Sequence, residues 1–156
     1  VSRAIGGSTT AYGRRWLGRD VAGEEADLVT VMFGFNEGPG RSVEPAEAAK
    51  AFRANLVKYI EECAGAMKSP PAAVFLATIP GREKNWETLD PYADAVRNMG
   101  KDYPNVTVCD VAGHFKKLGK EAYSKLMADE AHPNAAGQKA MAKVLFETIT
   151  GESSPE

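Results

Sequence analysis

The chain alternates short apolar runs with longer amphipathic stretches. Residues 28–33 (LVTVMF) form an unbroken apolar run, the pattern of a strand covered on both faces. Residues 74–79 and 106–111 (VTVCDV) read as two more strands, the first ending at Pro80-Gly81. Residues 1–5 read as the end of a further strand, running into the turn Gly6-Gly7-Ser8-Thr9. The helical stretches lie between them. Residues 12–19 predict a short helix and residues 45–67 a long one, with Pro45 in its first turn. Phe52, Leu56, Tyr59, Ile60 and Cys63 recur on one face of the long helix. Asp90-Pro91 opens a helix running to Lys101, and residues 115–127 and 135–149 predict two more. Residues 34–43, with three glycines and a proline, form a loop.

This alternation predicts an α/β domain over residues 1–150: a mainly parallel sheet covered by helices on both faces, followed by a polar, flexible tail at 151–156. In such sheets ligands bind beyond the carboxyl ends of the strands. The residues just after each strand are therefore where chemistry is to be sought.

Composition narrows the picture. At 156 residues, 44% hydrophobic and 26% charged, the chain is one domain with a real core. A formal net charge of −2 gives no electrostatic footprint for nucleic acid or an anionic membrane. No apolar stretch approaches the length of a membrane span. Cys63 and Cys109 read as two buried thiols, which leaves the compartment open. So does the first residue, Val1, which is followed by no signal-peptide pattern. No His, Cys or carboxylate spacing suits a metal, and no glycine-rich loop suits a nucleotide, so no cofactor is expected.

Three clusters follow the predicted strands: Ile5-Gly6-Gly7-Ser8-Thr9, then Gly34-Phe35-Asn36-Glu37, then Asp129-Glu130-Ala131-His132-Pro133-Asn134. Asp129 precedes His132 by three residues, close enough in a turn to reach the imidazole Nδ1 and orient the ring as a general base. The same spacing also fits a surface turn in which the aspartate only caps backbone. Asn36, at the mouth of a sheet, has an amide able to donate to a developing oxyanion, or to satisfy its own loop. Gly7 offers a backbone N–H with no side chain in the way, or is an ordinary turn glycine.

Taken in order, I-G-G-S-T, G-F-N-E and D-E-A-H-P-N resemble the ordered blocks of the SGNH (GDSL-like) serine hydrolases, over residues 1–149. The resemblance implies a three-layer α/β/α sandwich with a flavodoxin-like sheet. It implies esterase chemistry by an acyl-serine route on a small or carbohydrate-linked ester. His132 would be general base and acid, and Asp129 its orienting partner. Gly7 and Asn36 would form the oxyanion hole. Glu37 departs from the family, which carries aspartate after the asparagine; altered loop geometry is expected there. Acyl transfer would use the same residues.

The family's nucleophile sits in a G-D-S turn after the first strand, and no G-D-S occurs here. The serine block is expected to lie outside this chain, on a missing N-terminal segment or a companion chain, and the chain alone is expected to be inactive. In the order 2-1-3-4-5 the lost strand is central. Its loss leaves edges whose unmade hydrogen bonds cost on the order of 1–3 kcal/mol each. A sheet whose remaining neighbours pair directly is the other solution. Ser8 is the weaker candidate nucleophile, since the family has a non-attacking residue there; Ser42 has no base in view. A non-catalytic binding module that kept the fold is the rival function, and a plain flavodoxin-like ligand-binding domain another. His114 reads as a solvated loop histidine, and Arg14, Arg15 and Arg19 around Trp16 as a solvated helix face. Phe35, Trp86 and Tyr92 read as packing, with a pocket lining as the alternative.

Overall fold

A computed structural model of the chain describes residues 1–37, 44–67, 72–78, 81 and 86–153, with the backbone alone at 72–76. Ser42, Pro80 and residues 154–156 lie outside the described residues. The fold is α/β. Three strands, β1 (Leu28–Val31), β2 (Ala72–Leu76) and β3 (Val106–Cys109), form a sheet in the order β1-β2-β3. Both pairings are parallel, with Leu28 opposite Ala72 and Ala73 opposite Val106.

Among the described residues the helices are α1 (Thr10–Arg15), α2 (Leu17–Asp20), α3 (Pro45–Ala66), α4 (Trp86–Asp102), α5 (Val111–Lys117), α6 (Lys120–Lys125) and α7 (Ala135–Thr150). A 3-10 turn at Ala22–Glu24 leads into β1. Pro45 sits at the start of α3, where its missing N–H would have had no helical partner. Phe52, Leu56, Tyr59, Ile60 and Cys63 are all buried along α3. Each such large apolar side chain contributes about 1.5–3 kcal/mol through burial.

The core is in two parts, set by the alternation of strand side chains. Val31 and Val106 belong to the larger part, with Phe52, Leu56 and Tyr59 of α3 and Tyr92, Val96 and Met99 of α4. Cys109, of opposite parity to Val106, belongs to the smaller part with Val111, Phe115, Tyr123 and Met127. Met141, Val144 and Leu145 of α7 pack partly buried against it.

Several sequence expectations are corrected. Residues 1–5 form no strand: they are exposed, no described strand lies beside them, and an extended segment without a ladder partner is not a strand. The run at 28–33 is covered on one face only. Val31 is 5% exposed whereas Leu28 and Met32 are 39% and 47% exposed, because no described helix covers that side of β1. The first short helix breaks at Trp16 into α1 and α2. α4 begins at Trp86, so Pro91 lies inside it rather than opening it. β3 stops at Cys109 because Asp110 turns to cap α5, accepting the Gly113 N–H at 2.9 Å. Helix therefore begins at Val111 and is interrupted by Gly119, where one long segment had been expected.

Candidate active site

The candidate residues fall in two clusters. The first is built on the turn between α6 and α7. Leu126 accepts the Asn134 N–H (2.9 Å), Ala128 donates to the His132 carbonyl (2.8 Å), and Met127 pairs with Pro133 as an antiparallel bridge. Asn134 caps α7 through its side-chain oxygen, which accepts the Gly137 N–H at 3.0 Å. Gly137 is required here by close approach: a Cβ would lie 2.2 Å from the Leu126 carbonyl oxygen. The last helix is thus clamped on the turn that presents His132.

Within that turn Asp129 Oδ1 accepts the backbone N–H groups of Ala131 and His132, each at 2.7 Å. His132 Nδ1 lies 2.8 Å from Asp129 Oδ2 and 3.0 Å from Oδ1. These bonds hold the Asp129 carboxyl down to about 2: the Ala131 N–H contributes most, then the imidazole, then the His132 N–H. An ionised carboxylate can only accept, so Nδ1 carries a proton, and in the neutral imidazole Nε2 is the nitrogen that offers a lone pair. The imidazole is 78% exposed, so Nε2 is open to an incoming group.

The second cluster lies beyond the carboxyl end of β1. Gly34 adopts φ +115, and a Cβ there would meet Thr78 Oγ1 at 2.7 Å, so glycine alone suits the exit from the strand. Thr78 Oγ1 donates to the Phe33 carbonyl. The chain then delivers Asn36, whose Nδ2 donates to the Ser8 carbonyl at 3.2 Å. Gly7, at φ +77, sits in the turn closed by the Ser8 N–H on the Ile5 carbonyl (3.2 Å). The structure therefore joins Asn36 to the glycine turn. The Asn36 amide has two N–H groups, and this bond uses one.

Glu37 bonds across to the other loop. Its Oε1 accepts both the N–H and the hydroxyl of Thr10. Tyr92, fully buried in α4, donates its hydroxyl to the Glu37 carbonyl at 3.0 Å. Partial burial pushes the Glu37 carboxyl up, and the two Thr10 bonds pull it partly back. Thr10 and Tyr92 carry no chemical signal in the sequence; only the acidic residue after Asn36 hinted at this support.

His132 makes no hydrogen bond to Asn36, Gly7 or Ser8. Among the described residues no group of three or more His, Cys, Asp or Glu could hold a metal. No helix of the described residues is long and apolar enough to cross a membrane. Both cysteines are free and buried, and burial pushes the Cys63 thiol up to about 11. His114 lies within α5, half-buried edge-on to Phe115, and not in a loop. Arg14 pairs with Glu62, while Arg19 pairs with Asp20 and stacks 4.4 Å over Trp16. Trp86 packs on Tyr123, and Phe35 is partly exposed.

Crystal structures that resemble the chain in fold include these three. A lipase/acylhydrolase from Enterococcus faecalis is 20% identical, with a TM-score of 0.75, covering 96% of this chain and 74% of that one. An acetylxylan esterase from Geobacillus stearothermophilus is 22% identical with a TM-score of 0.79, covering 100% and 74%. An α/β hydrolase enzyme from the metagenome of Lake Arreo, Spain, is 25% identical with a TM-score of 0.70, covering 93% and 69%. None of the curated proteins matches the sequence. The model of the GDSL-like lipase/acylhydrolase family matches residues 1–140, and the chain belongs to that family.

Proposed function

We propose that the protein is an ester hydrolase working through an acyl-serine intermediate, with His132 as the proton shuttle. The observation that carries this reading is the Asp129–His132 pair, which fixes the proton on Nδ1 and leaves Nε2 as acceptor. In the first half-reaction a serine hydroxyl gives its proton to Nε2 as its oxygen bonds to the ester carbon. The carbonyl oxygen takes the negative charge. The second N–H of Asn36 and the N–H of Gly7 are the donors proposed for it. Collapse breaks the bond to the alcohol, which leaves with the proton from Nε2. Water then repeats the sequence and frees the acid.

Among the described residues no serine is hydrogen-bonded to His132, and the nucleophile is proposed to arrive on a further segment. β1 is the strand proposed to receive it. It is an edge strand of the described sheet, pairing only with β2. Leu28 and Met32 stand exposed on its uncovered side. Phe146 and Ile149 of α7 are 38% and 41% exposed. A strand added along β1, followed by a helix between β1 and α7, would pair the open backbone edge and cover these apolar groups. A strand–turn–helix unit carries its turn at the carboxyl end of the sheet, which would set a serine among Asn36, Gly7 and His132. Covering the same side completes the three-layer sandwich.

The substrate proposed is a short-chain ester, an acetyl group on a carbohydrate being the favoured case. The fold similarity to an acetylxylan esterase and the exposure of His132 support it. The alternative, a non-catalytic module, is favoured by one observation: no described serine contacts His132. The two readings separate in an assay on p-nitrophenyl acetate. The polypeptide extended by the residues encoded upstream of Val1 should turn over and lose turnover when His132 is replaced by glutamine. A lack of turnover by the extended, folded polypeptide would support the non-catalytic reading.

A further inference from the structure

We propose that Glu37 is a positioning residue that locks the Asn36 loop and the Gly7 turn into one unit; the functional meaning of that unit rests on the esterase reading above. The observation is a bond pattern that capping alone does not require. Thr9 already caps α1 by accepting the Tyr12 N–H at 3.2 Å. Glu37 reaches across from the other loop, 27 residues away in sequence, and takes both donors of Thr10 with one oxygen. Thr10 is fully buried, so its N–H and hydroxyl have no water to turn to. The second oxygen, Oε2, is buried with no hydrogen-bond partner among the described residues. Leaving a carboxylate oxygen so is costly, and nothing in local backbone satisfaction calls for it.

The neighbouring bonds show what the clamp controls. Asn36 precedes Glu37 and donates to the Ser8 carbonyl; Thr10 follows Ser8 by two residues. The Glu37 carbonyl is pinned from below by Tyr92, at 3.0 Å. The Asn36 amide and the Gly7 turn are therefore held in register by one carboxylate on Thr10 and one amide on Ser8. The Asn36 bond alone is long and exposed. The Glu37 bonds are charge-assisted and partly buried, and are the stronger of the two. The side-chain length matters as well. An aspartate would stop one methylene short of Thr10 unless the loop moved. A glutamine would keep the shape but replace the charge and place an unpaired NH2 where Oε2 lies.

The test uses the 156-residue chain and amide NMR, with the variants E37Q, E37D and T10V. The proposal expects the Thr10 amide to exchange with solvent about tenfold or more faster in E37Q, as a strong bond is replaced by a weak one. It also expects the Gly7 and Ser8 amides and the Asn36 side-chain NH2 signals to shift together in E37Q and E37D, while signals from α7 stay in place. T10V removes the hydroxyl alone and should give the same shifts in smaller measure; it serves if the Glu37 variants do not fold. Faster Thr10 exchange with unmoved Gly7 and Asn36 signals would overturn the proposal and leave Glu37 a simple helix cap. No change at Thr10 would overturn it outright. None of these readouts requires hydrolysis, so they stand or fall apart from the esterase reading. In an active extended polypeptide, E37Q should lower kcat about 10-fold to 100-fold with KM changed less than about twofold. A rise in KM with kcat intact would contradict a positioning role.

Discussion

His132 is oriented by a single carboxylate that is itself held by two backbone N–H groups and the imidazole. Because the folded carboxyl lies below its ordinary value of 3.8, at about 2, the turn is stabilised above the ordinary aspartate range and loses that support as pH falls toward 2. A carboxyl-detected NMR titration should place the Asp129 midpoint near 2. In H132A the midpoint should rise yet remain below 3.8, since the largest contribution comes from the Ala131 N–H and survives the substitution. A midpoint at the ordinary value in H132A would show that the imidazole does all the holding. In an active polypeptide, D129N should lower kcat by on the order of 10⁴, through loss of the correct tautomer. N36A should cost about 10²–10³ in kcat through loss of an oxyanion donor. The Asp129–His132 contact spans three residues, and such a local relation is legible from spacing in the sequence. The Glu37–Thr10 bonds join positions 27 apart, and no local pattern announces them.

At the scale of elements, the caps decide where helices begin. Asp110 ends β3, caps α5 on Gly113 and takes a forked pair of bonds from Arg97 at 3.0 and 2.8 Å. Partial burial works to raise its carboxyl, but the Arg97 fork and the Gly113 N–H outweigh it and leave it below the ordinary range. The cap is therefore strongest above that range and weakens in acid. D110A should cost about 1–2 kcal/mol in urea unfolding near neutral pH, with the difference narrowing as pH falls below 4. Gly137 is the second such point. G137V drives a side chain into the Leu126 carbonyl and should cost about 1–3 kcal/mol, with displaced signals for Met127 and His132. An unchanged unfolding midpoint would show that α7 is not clamped on the His132 turn. The sequence placed α3 and α7 well, because α3 joins an apolar face at helical spacing to the Pro45 start and α7 begins at the Pro133-Asn134 signal. It misplaced the start of α4, because Pro91 reads as an entry signal though tertiary packing of Leu89 and Tyr92 carries helix across it.

At the scale of the molecule, the parallel α/β layout was legible because strands and amphipathic helices alternate. How many faces of a strand are covered was not. An apolar run such as LVTVMF specifies a strand, but covering both faces needs helices from elsewhere in the fold, and among the described residues only the side with Val31 has them. Residues 1–5 show the same limit: their apolar character suggested a strand, and a strand exists only beside a partner. The candidate site divides likewise. The His132 turn is ordered by local bonds and a cap, whereas the Asn36 loop and the Gly7 turn are joined by bonds between positions 27 and 28 residues apart.

The central claim is that His132 serves a serine carried on a segment that pairs with β1. The measurement is fluorophosphonate labelling followed by mass spectrometry, on the 156 residues and on the polypeptide extended upstream of Val1. The account predicts no adduct on the chain alone, and one adduct on an upstream serine of the extended polypeptide, lost in H132Q. An adduct at Ser8 of the 156-residue chain, with turnover abolished by S8A, would contradict it.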